Sequence, residues 1–128
     1  MRIKNLVGVV IYEDSSPTYR ESVEAAVRKG VSLAGARLRL MSLAGAELVG
    51  ADLRGADLTE TNLSDTDLYQ ADLSKANLSE ANLLGADLRR ADLREAVFWT
   101  GWKIVLQGKP ETGEVLSRGG LLRSESSQ

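Results

Sequence analysis

The sequence predicts an all-β solenoid, a chain wound into short stacked coils around a single leucine core. Three observations predict it. From Val31 to Thr100 the chain divides without a gap into 14 consecutive five-residue units. The third position of the unit is Leu in 13 of them, from Leu33 to Leu93, and Phe98 in the last. Neither regular alternative can bury such a row. In an α-helix five residues advance the chain by about 500°, so successive leucines would step by about 140° and cover every side. In a flat strand an odd repeat throws alternate leucines to opposite faces. The chain must turn about once per unit, always in the same sense.

Residues 1–30 precede the repeats and read as a separate segment. Arg2–Asn5 and Val9–Glu13 have the composition of two short strands joined near Gly8. Ser16-Pro17 signals a helix start, with Ser16 as N-cap and Pro17 at the first helical position. Tyr19, Val23, Ala26 and Val27 fall on one stripe, and Gly30 supplies the stop. A solenoid has open ends that must be covered. The expectation is a β-hairpin plus an α-helix lying on the first coil as its cap.

Residues 31–100 carry the repeats. The first position is Ala in 10 of the 14 units and the second is Asp or Asn in 9. The inward Leu contributes roughly 1.5–3 kcal/mol where fully buried. A small first residue fits beside the core where a larger one would clash. Asp or Asn before the Leu can bond nearby backbone at a corner. The last two positions vary freely (Arg54, Gly55, Tyr69, Gln70) and should face solvent.

Residues 101–128 follow. Trp99 and Trp102 break the pattern, and Trp102–Leu106 and Glu114–Arg118 look like strands around a Gly108–Gly113 loop. They are expected to cap the far end or pair with a neighbouring chain. Ser124–Gln128 reads as a disordered tail.

Units such as Ala51-Asp-Leu-Arg-Gly and Ala71-Asp-Leu-Ser-Lys resemble the pentapeptide-repeat family, whose pattern is A(D/N)LXX. The resemblance implies a right-handed quadrilateral β-helix with four units to each square coil. It then implies columns such as Leu33-Leu53-Leu73-Leu93 and Leu38-Leu58-Leu78-Phe98. Asp52, Asp72 and Asp92 would stack on one face, and Glu47, Asp67 and Asp87 on another.

Composition excludes several chemistries. His and Cys are absent, which removes disulfides, thiolate nucleophiles, imidazole bases and Cys/His zinc sites. The carboxylates are spaced as a structural repeat, and none forms a localised calcium loop. No enzymatic activity, cofactor or metal is expected. With 16 Lys and Arg against 18 Asp and Glu, the net charge of −2 argues against direct binding of nucleic acid. No apolar run approaches the ~20 residues that span a bilayer. The first residues, MRIKNLVGVVIYED, lack a signal pattern, and a cytoplasmic location is the expectation.

Function is sought in departures from the repeat. Leu40 takes a fifth position where neighbouring units have Gly, and Met41 takes a small-residue position. Leu6, Val7 and Val9 put apolar side chains around a hairpin turn. Together these would form an exposed apolar patch beside the cap, the mark of a protein–protein surface. Alternatively Leu6, Val7 and Leu40 pack beneath the cap helix. Trp99 and Trp102 are a second candidate interface. The expected function is a non-enzymatic scaffold that associates with protein, foremost with copies of itself. An assembly interface engineered into a natural scaffold would show the same clustering. The alternative, implied by the resemblance to the quinolone-resistance members of the family, is a duplex-DNA mimic acting on DNA gyrase. Against that role, the repeat region carries 11 acidic and 7 basic residues, and Arg54, Arg89, Arg90 and Arg94 interrupt its negative faces.

Overall fold

The computed structural model describes residues 1–99, 102–104 and 122–124. Its organising feature is a register of twenty. Parallel bridges link Arg37 to Asp57 to Asn77 to Val97, Ser42 to Asn62 to Asn82, Glu47 to Asp67 to Asp87, and Asp52 to Asp72 to Asp92. Four five-residue units therefore complete one coil, and each ladder is one face. Within a ladder the hydrogen bonds alternate in direction. Asp57 N–H donates to Ala36 C=O (2.9 Å) below, and its carbonyl accepts from Leu38 N–H (2.9 Å).

Each corner is a β-turn that starts on the buried Leu. Ala36 N–H donates to Leu33 C=O (3.0 Å), and the same bond recurs unit by unit to Ala96 and Leu93 (3.1 Å). The fifth position has positive φ in every unit from Gly35 to Glu95, as the third residue of a type II turn requires. The second position secures the corner. Asp57 Oδ1 accepts the Thr59 N–H (3.0 Å), and Asn62, Asp67, Asp72 and Asn77 do the same for the residue two places on. These are the backbone bonds expected of Asp and Asn.

The third-position leucines from Leu33 to Leu93 are buried, together with Phe98 and most first-position alanines. Two first positions hold Thr instead. Thr61 and Thr66 are fully buried, and their hydroxyls donate to the carbonyls of Leu38 (2.8 Å) and Leu43 (2.9 Å) one coil below. A buried polar atom is thus satisfied where an alanine would need nothing.

Strands β1 (Arg2–Lys4) and β2 (Val10–Glu13) form an antiparallel hairpin. They are shorter than expected, because Asn5 leaves β1 to bridge Ala36 and Val9 belongs to the turn. In that turn Asn5 Oδ1 accepts the N–H groups of Val7 (3.1 Å) and Val9 (3.0 Å). Ile3, fully buried, joins the leucine cluster.

Helix α1 spans Tyr19–Arg28. Its N-cap is Thr18, not Ser16 as the Ser-Pro signal suggested. Ser16 is already bonded to Asp14 through both its N–H (3.0 Å) and its hydroxyl (2.9 Å). Thr18 Oγ1 accepts the Glu21 N–H (3.1 Å). At the other end Gly30, with φ +70°, donates to Val27 C=O, while Val31 donates to Ala26 C=O. That pair of bonds is a Schellman closure. Val23 and Ala26 join the core. Tyr19, placed on the buried stripe by periodicity, is instead 38% exposed, and the fully buried Ser22 lies on the inner face.

Strands β3 (Val97–Trp99), β4 (Trp102–Ile104) and β5 (Leu122–Ser124) form an antiparallel sheet in the order β3-β4-β5. Both edges of β4 are therefore taken by strands of the same chain. Ser124, expected in a disordered tail, ends a strand. The expected Gly108–Gly113 loop, the strand Glu114–Arg118 and residues 125–128 lie outside the described residues. No helix among the described residues is long and apolar enough to cross a membrane.

Candidate interaction surface

Four of the singled-out apolar side chains stand in water: Leu6 is 48% exposed, Val7 83%, Val9 56% and Leu40 64%. The alternative that Leu6, Val7 and Leu40 pack beneath the helix is therefore incorrect. The reason is local. Leu6 is pinned to the rim of the first coil, its N–H donating to Gly35 C=O (3.0 Å) and its carbonyl accepting from the Arg37 guanidinium (2.8 Å). Leu40 has φ +64° at a corner, which turns its side chain off the core. Met41 differs from them. It is half-buried and packs against the leucine cluster. Trp99 and Trp102 are brought opposite each other in β3 and β4.

Leu40 and Met41 meet Tyr19 in a solvent-open groove of about 700 Å³. Sequence reasoning missed its other wall. Arg2, Lys4, Arg37 and Arg39 line it, against the single carboxylate of Asp57. Two of these cations have carboxylate partners, Arg2 with Glu13 (3.1 Å) and Arg39 with Glu60 (3.8 Å). Among the described residues Lys4 and Arg37 have none. The signal was present in Arg37, a cation in the position that holds Asp or Asn in 9 of the 14 units.

The acidic ladders have a different character. Arg54 forks onto Asp52 (2.7 and 2.8 Å), Arg89 onto Asp87 (2.9 and 2.7 Å), and Arg94 onto Asp92 (2.9 and 2.5 Å). Each pair spans one buried Leu within a single unit. The Arg54 fork, with help from the Ser32 hydroxyl, lowers the Asp52 pKa to about 2. The Arg89 fork lowers that of Asp87. Arg89 also lies over the Tyr69 ring, 5.4 Å from its centre. Among the described residues no group of three or more carboxylates is gathered as a metal site would need.

A family model for pentapeptide repeats, eight copies, matches residues 29–59 and 61–99. No curated protein sequence matches the chain. Among solved structures, a pentapeptide repeat protein from the thylakoid lumen of Arabidopsis thaliana is 26% identical with a TM-score of 0.56. That match covers 66% of this chain and 55% of the Arabidopsis protein, so the chain corresponds to about half of that relative. A pentapeptide repeat protein from Nostoc is 36% identical with a TM-score of 0.54, covering 65% of this chain and 74% of its own. The architecture of these relatives implies a right-handed quadrilateral β-helix, in agreement with the four ladders. With its repeats matched over more than half its length, the chain belongs to the pentapeptide-repeat family.

Proposed function

We propose that the chain is a non-enzymatic scaffold that binds protein, copies of itself included, through the face carrying the hairpin and the first coil. The hairpin and helix serve in this reading as the cap of a right-handed β-helix. The observation that carries the proposal is the exposure of Leu6, Val7 and Val9 on the hairpin and of Leu40 on the first coil. Exposed apolar groups favour association, because burying them removes them from water. Trp99 and Trp102 remain the second candidate surface.

Sedimentation velocity over a range of concentrations tests self-association, with circular dichroism on the same samples. The expected result is an oligomer that Leu40→Glu disperses while the spectrum is preserved, since a desolvated, unpaired carboxylate opposes contact. A monomer at every concentration overturns self-association. An oligomer unchanged by Leu40→Glu moves the interface to the β3–β4 side.

The gyrase-directed DNA mimic draws on the acidic excess of residues 51–99, with 10 acidic against 5 basic side chains. Three of those carboxylates sit in arginine forks, which neutralises the charge a phosphate mimic would need. A supercoiling assay with gyrase decides it, inhibition favouring the mimic.

A further inference from the structure

The first coil has no coil beneath it, so the N–H groups that elsewhere donate downward need other acceptors. On the first face Arg37 N–H donates to Lys4 C=O (2.8 Å), so β1 stands where a coil strand would be. On the third face Glu47 N–H donates to the Glu24 carboxylate of α1 (2.9 Å). On the face between them, Ser42 is exposed, and among the described residues neither its N–H nor its carbonyl has a hydrogen-bond partner. One coil up, the equivalent Asn62 N–H donates to Met41 C=O (2.9 Å). Ser42 is thus an open strand edge.

Two grooves meet along this edge. The cationic groove reaches Leu40 and Met41, and a second of about 800 Å³, lined also by Arg20, Glu21 and Glu24, reaches Ser42 and Ala44. Tyr19 is the wall common to both. Ser32 also lacks a backbone partner for its N–H among the described residues. The pocket there is only about 130 Å³, and its one charged side chain is Asp52.

We propose that the Ser42 edge accepts an extended acidic peptide from a partner protein, which adds as a strand in the place of the missing coil. Backbone pairing at Ser42 supplies the docking, as in β-strand addition generally. Lys4 and Arg37, the groove cations without carboxylate partners, select for acidic side chains, and Tyr19, Leu40 and Met41 take the apolar ones between. The proposal rests on the interaction-scaffold reading and is independent of self-association.

The probe is a short fluorescein-labelled peptide of alternating Glu and Val, measured by fluorescence anisotropy. Controls are the same peptide N-methylated on alternate amides and a version with Lys for Glu. Saturable binding of the acidic peptide alone is expected, weakening as salt is added. Ser42→Pro should weaken it about tenfold or more by removing the N–H. Lys4→Glu should shift preference toward the Lys peptide. In the wild-type chain the Ser42 amide should gain protection from hydrogen exchange when the acidic peptide is added, a readout that holds even if Ser42→Pro fails to fold. Absence of binding, equal binding of the N-methylated peptide, or an unprotected Ser42 amide each overturns the proposal. A chain that oligomerises in the centrifuge yet ignores the peptide would overturn only the docking site and leave the scaffold standing.

Discussion

Ser22 and Asp14 hold the hairpin to the helix through a single bond: the fully buried Ser22 hydroxyl donates to the Asp14 carboxylate. The same carboxylate accepts from the Tyr12 hydroxyl (3.0 Å) and from both donors of Ser16. One side chain therefore joins β2, the connecting loop and α1.

A pH dependence follows. Hydrogen bonding, with Ser22 foremost, holds the Asp14 carboxyl well below the usual carboxylate range. A depressed folded-state pKa stabilises the fold above the unfolded value of about 3.9. That contribution fades as pH falls through the depressed value. Asp14→Ala should lower the melting temperature at pH 7, and the gap from wild type should narrow in acid below about pH 4. A gap independent of pH would contradict the assignment.

Leu68 lies fully buried in the middle of the stack. Leu68→Ala should cost about 2–5 kcal/mol through lost burial and a residual cavity. Leu68→Asp should prevent folding, because the carboxylate would have no partner. Urea unfolding followed by circular dichroism measures both.

Leu40 occupies a left-handed corner at φ +64° with a side chain that gains little burial. Leu40→Gly should therefore stabilise the isolated chain by about 1 kcal/mol, the left-handed penalty outweighing the entropy of glycine. Denaturation of monomeric protein tests this. Stabilisation combined with loss of assembly would mark Leu40 as kept for contact at the expense of the fold.

Gly85 is constrained twice. Its φ is +76°, and a Cβ there would fall directly against Asp65 Oδ1 one coil below. Gly85→Ala should destabilise by about 1–2 kcal/mol. Adding Asp65→Gly should recover the steric part and leave the backbone part, a coupling that a double-mutant cycle resolves.

Much of this was legible because the pattern is redundant. Leu33 to Phe98 announce a turning core many times over, and the Asp and Asn before them announce the corner bonds. The N-terminal segment says each thing once. Ser16-Pro17 is a sound helix signal, yet Asp14 captures Ser16, and the competing Thr18-x-x-Glu21 pattern takes the cap. Tyr19 followed helical periodicity inward, but the register of α1 on the coil gave that place to Ser22. The cationic groove was hidden because Arg2 and Lys4 join Arg37 and Arg39 only through the pairing of β1 with the first coil. Periodicity inside one element cannot report such a meeting.

The register of twenty has a consequence for how such a chain can change length. Inserting one whole unit at a corner keeps every downstream leucine pointing inward, so the core tolerates growth in steps of five. The surface does not. Every later residue moves to the next side of the square, and a unit inserted between them would take Asp72 off Asp52. Only an insertion of four units restores each surface residue to its old side of the square, one coil further along. Duplication and deletion can thus rewrite the exterior of this molecule wholesale without a single substitution, and with no cost to the leucine packing.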